Sequence, residues 1–584
     1  MSSRNRWVLA AVGGVVVLAG AWCAYTAWQV QGDLDDAVRH AEAVQAAVEA
    51  RDPEALRDEL DALRDASSAA ADRTSGPTWA VLTKVPWFGD DAAGIELVSD
   101  VLDDLAADGI EPLVTVSERV DELLPRDGGA DLAVIDELSG PVSQAAAAFA
   151  RADERLQDVD PSGYVGRLHT RFTDFRRRVD SAASGLRSAR IATDVLPTML
   201  GDEGKRRHLL VFQNNAEVRA TGGLPGAVSY LEAEDGRIAL THHVAGSALG
   251  RTPTSVLPLT DAEVELYDDY LGRYFVDANM TPDVPRAADL MVARWHQEYP
   301  ARPVDGVVMV DAVAISYLLE ATGPITVDGV ELTGDNLVDE LLHESYVRLP
   351  EPAAQDAFFA EVAGETFARF TRGVGDPTAM LRALARGVDE RRVFVTSYDD
   401  DVRTALDGTA IAGEMVTDAG VTSPQVEVTL NDTTGAKMSY YLRYDVDVVP
   451  VSCVDGVQSF STKARLRSTA PADAADLPAY ITGGGTYGVD PGSQVVTVRI
   501  FGPVGGTVGQ LEFNGEPMDL IRADQDGRPV GMTYVQLDPG QTVDLAWTMK
   551  SGAGQTGDAV VAVTPTIEKR NSREVLATAC RRAD

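Results

Sequence analysis

The chain has 584 residues, 45% of them hydrophobic, and its 90 acidic against 51 basic side chains give a formal charge of −39 at pH 7. That length exceeds one ordinary hydrophobic core and predicts several domains of roughly 100–200 residues each. The acid excess repels a phosphate backbone, which excludes nucleic acid as a general partner, and it provides a solvated surface.

No charge occurs between Trp7 and Gly32. As a helix, Trp7 to Trp28 would span about 33 Å at ~1.5 Å per residue, enough for a bilayer. Arg4 and Arg6 precede the stretch, and Asp33, Asp35 and Asp36 follow it. Residues 1–32 are therefore expected to form a cytoplasmic tip and a signal anchor, with membrane contact through residues 7–30. This makes a single-pass cell-membrane protein with its N-terminus cytoplasmic and its bulk extracytoplasmic. Lipoprotein cleavage at Cys23 is the competing reading, but Trp22 stands where a small residue is wanted.

Residues 33–204 predict a membrane-proximal helical bundle or stalk. Leu34, Val38, Ala41, Val44 and Val48, then Leu56, Leu60 and Leu63, recur three or four apart with charges between them, as amphipathic helices require. Asp52-Pro53 marks a new helix start, and Ser75-Gly76-Pro77 marks a stop.

Residues 205–420 predict an α/β core. His208 to Phe212 is a buried-strand signal, and Ala227 to Ala233 with Arg237 to His242 read as two strands joined at Asp235-Gly236. A helix is expected over Pro285 to Tyr299, then a short strand, Asp305 to Val310. Asp311 follows as an N-cap for the helix Ala312 to Ala321. A hairpin at Asp328-Gly329 and a helix from Gly334 to about Tyr346 come next, and this alternation argues for an α/β sandwich. Residues 421–584 alternate polar and apolar at period two between Gly, Pro and Asp-Gly turns, as in Tyr440 to Val446 and Val495 to Ile500. They predict an immunoglobulin-like β-sandwich. The expected fold class is thus multidomain α+β.

Most catalytic signatures are absent: there is no Gly-x-Ser-x-Gly elbow, no phosphate loop ending in Gly-Lys-Ser/Thr, no His-Glu-x-x-His helix and no Cys-x-x-Cys. His242 and His243 are adjacent on a strand and so point to opposite faces, which prevents an easy shared metal; no metal ligands are predicted. Gly483-Gly484-Gly485-Thr486-Tyr487-Gly488 has dinucleotide-loop spacing but lies among strands without a following helix, so a flexible loop is expected. Asp399-Asp400-Asp401 lacks calcium-loop spacing and reads as a helix cap.

The informative stretch runs from Val211 to Pro225. Amide, acid and base groups at a strand end, beside glycines that free backbone N–H groups, suit anion or glycan binding. The candidates are Asn214, Asn215, Glu217, Arg219, Gly222 and Gly223. An ion pair of Arg219 with Glu217 that merely fixes the loop is the alternative. Among three cysteines, Cys453 and Cys580 are candidates for a disulfide in an oxidising compartment, or else two buried thiols.

With Asp305 to Asp311, Leu318 to Pro324 and Lys437 to Leu442, that stretch resembles, over nearly the whole chain, the bacterial family of domain of unknown function 4012. The resemblance brings no established activity. From Val211 to about Phe370 the order of elements also resembles, distantly, the LytR-CpsA-Psr cell-wall phosphotransferases. This implies an α/β core of that fold and an envelope role at a cell-wall glycopolymer or polyprenyl-linked glycan. Glu217-Val218-Arg219 looks like a variant of that family's Asp-x-Arg cluster, and Arg348 like an arginine preceding its second basic group. Val244 to Leu249 lacks the arginine and aspartate expected there. Two functions follow as expectations. The first is a binding or scaffolding protein for such a glycan. The second is a divergent phosphotransferase using Glu217, Arg219 and Arg348, with magnesium as cofactor only in that case.

Overall fold

The computed structural model describes residues 3–580 except 51, 87, 124 and 127, with side chains from Trp22 onward apart from 23, 24, 45, 48, 49 and 53. The chain separates into two compact units, residues 1–123 with 131–197, and residues 124–130 with 198–584.

The first unit is helical: α1 (Ser3–Ala50), α2 (Pro53–Thr74), α3 (Pro77–Leu82), α4 (Gly89–Asp104), α5 (Glu111–Arg119), α6 (Leu132–Gln157) and α7 (Gly166–Met199). Asp52 caps α2 by accepting from the amides of Glu54 and Ala55, and Pro53 fixes the first turn. Of the predicted apolar stripe, Val44, Leu56, Leu60 and Leu63 are buried in one cluster, joined by Ala37, which the stripe did not include, whereas Val38 is 50% exposed. Trp79 is buried and donates its indole N–H to the Ala92 carbonyl at 2.9 Å. Among the described residues no helix is long and apolar enough to cross a membrane. The side chains of residues 3–21, which carry most of the predicted span, lie outside the described part.

The second unit contains an α/β layer and a sandwich. In the layer, β1 (Arg206–Asn214), β2 (Leu224–Glu234), β3 (Arg237–Ala245), β4 (Gly306–Asp311) and β5 (Val393–Ser397) form one sheet in the order β3-β2-β1-β4-β5. The pairing of β1 with β4 is parallel and the others are antiparallel. Asp235 and Gly236 both take positive φ, 50° and 77°, which the two-residue turn between β2 and β3 requires. On one face Leu209, Val211, Val307 and Met309 pack against the helix Val284–Glu298, whose Trp295 stacks on Tyr230 at 5.7 Å between centroids. Asp311 caps the helix Ala312–Thr322 by accepting from the Ala314 amide at 2.8 Å. The helix expected from Gly334 starts later, at Leu337, because Thr333 and Asn336 cap each other through their side chains and backbone amides.

The sandwich has eleven described strands in two sheets. One, led by Leu442–Val454, Val457–Ser468 and Thr542–Lys550, faces another led by Gln425–Asp432, Gln494–Phe501 and Arg528–Leu537. Phe460, Leu466, Leu545 and Trp547 from the first sheet meet Val428, Leu430, Val498 and Val535 from the second in one apolar core. Ala559–Val563 pairs in parallel with Gln425–Asp432, an exception to the antiparallel rule elsewhere in this domain. Cys453 and Cys580 are joined as a disulfide with 4.8 Å between their Cα atoms.

Candidate functional site

The stretch singled out in the sequence is the connection from β1 to β2, and it is buried. Asn215, Glu217 and Arg219 are 1%, 6% and 5% exposed. The chain turns tightly here, with the Gly222 amide donating to Arg219 O at 2.8 Å and the Leu224 amide to Glu217 O at 2.9 Å. Both glycines have steric reasons. Gly222 has φ +132°, and a Cβ on Gly223 would stand 2.3 Å from the Asn214 carbonyl carbon. These positions are fixed by backbone fit, whatever else they do.

Val218 explains the burial. It is fully buried in the apolar core of the sandwich, and its carbonyl accepts from the Asp432 amide at 2.9 Å. The Ala220 amide donates to Asn431 Oδ1 at 3.2 Å, and Thr564 Oγ1 donates to the Ala220 carbonyl at 3.0 Å. The loop is thus a peg of the α/β layer set into the sandwich.

Around this peg lies a closed ion cluster. Arg219 Nη2 donates to Glu217 Oε1 at 3.0 Å and to Asp277 Oδ1 at 2.9 Å, while Nη1 donates to the carbonyls of Val218 and Asp432. Lys437, brought by the sandwich, donates to Glu217 Oε2 at 2.5 Å. Burial by itself would raise the Glu217 carboxyl, but the Lys437 and Arg219 charges outweigh it and hold Glu217 below the ordinary carboxylate range. Burial pushes Asp277 up, with Arg219 offsetting part of the rise. Asp432 is pushed up to about 6 by burial first and by the Glu217 charge second. Burial opposes the charge on Arg219 and Lys437, yet neighbouring carboxylates raise both above their usual values.

The folded state therefore holds the Asp432 proton more tightly than the unfolded chain does. A carboxyl raised in this way contributes stability while protonated and loses it as pH rises from 3.8 towards about 6. The stability of Asp432→Asn relative to the native chain should accordingly grow across that window. Denaturant midpoints of both proteins at a series of pH values check this, and a flat difference would refute it.

The sequence-predicted residues are only partly assembled. Glu217 and Arg219 meet, as the loop-fixing alternative required. Asn215 Nδ2 donates to the buried Asp311 carboxylate at 3.0 Å. Asn214 reaches away, to the hydroxyl of Tyr346. Arg348 is not in the cluster: its guanidinium pairs with Glu340 at 2.9 Å and lies 5.5 Å over the Phe358 ring. His242 sits against Trp295 and Tyr299, while His243 shares a hydrogen bond with Ser229 at 2.9 Å, so the two imidazoles do lie on opposite faces. Asp399 accepts from the amides of Asp401 and Val402 at the start of the helix Asp400–Leu406. Among the described residues no group of three or more His, Cys, Asp or Glu side chains is placed to hold a metal.

A cavity of about 340 Å³ lies against the other face of the α/β sheet. Leu210 and Phe212 of β1 and Val308 and Val310 of β4 form its floor and are only half buried, although their strands are central. Ile315 and Leu318 of the helix Ala312–Thr322, Phe359, Val362, Ala363, Phe367 and Phe370 of Pro352–Thr371, and Leu384 of Pro377–Asp389 line it from the helical side. Lys437 and Asp356 are the charged residues on its lining. Asn214, Tyr346, Lys437 and Tyr480 gather at one end. Volume and apolar character suit a small-molecule or lipid-chain site.

Residues 203–346 match the model of a family described as a protein of unknown function, DUF4012. The DUF4012 match takes in β1 to β4, the buried peg and Tyr346. The near-full-length extent expected from the sequence goes beyond this segment. No curated protein matches the chain. A solved structure of a Legionella pneumophila protein, provisionally described as nutrient binding, aligns at 7% identity over 24% of this chain and 49% of that one, with a TM-score of 0.12. So low a score carries no inference about fold or function.

Sequence reasoning missed Lys437 as a partner of Glu217, since 220 residues separate them. It also missed the cavity. The Lys437 to Leu442 segment stood out as a family-like motif, but no spacing tied it to β1.

Proposed function

We propose that this is a membrane-anchored cell-envelope protein that holds the apolar chain of a lipid or lipid-linked glycan in its α/β core. The single observation carrying this is the apolar cavity beneath β1 and β4, kept open where a sheet of this kind is ordinarily packed solid. The Cys453–Cys580 disulfide supports an oxidising compartment outside the cytoplasm, in keeping with an anchor at residues 7–30. On the order of elements, we read the core as a distant counterpart of the LytR-CpsA-Psr core and the sandwich as an immunoglobulin-like contact module.

A phosphotransferase is the less supported reading. Four contacts occupy both Arg219 terminal nitrogens, and Arg348 is engaged with Glu340, so Arg348 does not join Glu217 and Arg219 in one pocket as that reading requires. A scaffold needs no such convergence.

Ala363 offers the test, being a small, 8% exposed residue on the cavity wall. Ala363→Phe adds a ring that fills this space. The full-length variant, purified in an amphipathic polymer, is expected to lose uptake of the neutral dye Nile red by about tenfold or more, equivalent to ~1.4 kcal/mol. Equal uptake by a folded Ala363→Phe protein would sink the cavity reading.

A further inference from the structure

The cavity has one polar end, and its chemistry selects a head group. Lys437 is 5% exposed and Tyr346 2% exposed, and both line that end. The Lys437 ammonium has three N–H donors, of which Glu217 takes one; its nitrogen lies 5.6 Å from the centre of the Tyr480 ring. The Tyr346 hydroxyl accepts from Asn214 Nδ2, which leaves its own hydrogen to donate. Tyr480 is 46% exposed, so this end approaches solvent. The wall therefore offers donors to a ligand, and a group with oxygen lone pairs answers them.

Charge decides which oxygen. The two cations Lys437 and Arg219 already face three carboxyls, Glu217, Asp277 and Asp432, within one buried cluster. Asp356, the other charged residue on the lining, is a further carboxyl and is exposed to solvent. An incoming phosphate or carboxylate would be stripped of water beside an environment with no surplus positive charge, a cost that hydrogen bonds alone do not offset. A carbonyl or hydroxyl incurs no such penalty.

We infer that the polar end of the cavity binds the uncharged, acceptor-bearing head of a neutral lipid, an acyl ester or alcohol, in preference to a phosphorylated or free-acid lipid of the same chain. This rests on the cavity reading above and names the ligand class for it. Donors from Lys437, on the sandwich, and Tyr346, on the α/β layer, meet on the same head group. A bound lipid would so bridge the two parts of the second unit.

The test uses the full-length chain in an amphipathic polymer, with Nile red displaced by monopalmitoylglycerol, palmitate or palmitoyl lysophosphatidate. Monopalmitoylglycerol should displace the dye at a concentration about tenfold lower than either anion. Tyr346→Phe should weaken monopalmitoylglycerol several-fold more than it weakens Nile red itself, whereas a collapsed cavity would weaken both alike. The double variant Lys437→Met with Glu217→Gln removes the ammonium donors with no change in net charge and should likewise weaken monopalmitoylglycerol several-fold. If the dye enters but either anion competes as well as the neutral lipid, the head-group assignment is overturned. If the dye fails to enter the native protein, or enters Ala363→Phe equally, the cavity reading itself falls and takes this inference with it.

Discussion

Replacing Arg219 with alanine is expected to destabilise the second unit by about 3–5 kcal/mol, the range typical of removing one partner from a buried ion pair. Arg219 joins Glu217 and Asp277 through Nη2 and two backbone carbonyls through Nη1, so its loss leaves the Asp277 carboxyl without its cation and Glu217 with Lys437 alone. The Asp432 carbonyl belongs to the sandwich and Asp277 to the α/β layer, so the defect falls on the joint between them. Denaturant unfolding followed by circular dichroism measures the loss. Arg348→Ala is the control. Its side chain is 39% exposed and pairs with Glu340 near the surface, where such pairs are worth at most about 1 kcal/mol. A small effect at Arg219, or one at Arg348 of equal size, would contradict this account of the cluster.

Removing the Cys453–Cys580 bridge should have the other large effect. The bond closes a loop with a sequence separation of 127, and the chain-entropy model values a loop of that size at about 5 kcal/mol. It ties the end of the strand Leu442–Val454 to the segment after Arg573–Leu576, an edge strand held by a short pairing with Ala559–Val563. Cys453→Ser with Cys580→Ser should therefore lower the unfolding midpoint of the sandwich and expose residues beyond 573 to protease first. Reductant should produce the same shift in the native chain and none in the double variant. A midpoint indifferent to reductant would exclude the bond as a stabilising element.

Local chemistry made much of the architecture legible. Asp235-Gly236 and Asp328-Gly329 carry positive φ in tight turns, and Asp311 and Asp399 cap the helices that follow them. Each involves residues a few positions apart, whose preferences act before any tertiary contact forms. The candidate loop was legible as a cluster, including the Arg219–Glu217 pair two residues apart. Its burial was not. The polar composition of Asn214 to Gly223 describes an exposed binding loop and a buried ionic joint equally well, and the difference lies in which distant groups meet it. The floor of the cavity was similarly hidden. Leu210, Phe212, Val308 and Val310 look in the sequence like any core positions, because alternation marks a sheet face but does not say whether that face is filled.

By itself the sequence determined the acidic surface, an uncharged stretch long enough for a bilayer, the helical, mixed and strand-rich order of the chain, and the short-range turns and caps. Only tertiary structure decided that Lys437 neutralises Glu217 across 220 residues, that Val218 enters the sandwich core, that Arg348 stays apart, and that an apolar space remains between sheet and helices. Propensity and periodicity act over a few neighbouring residues. Charge compensation and packing depend on three-dimensional proximity, which chain distance does not encode.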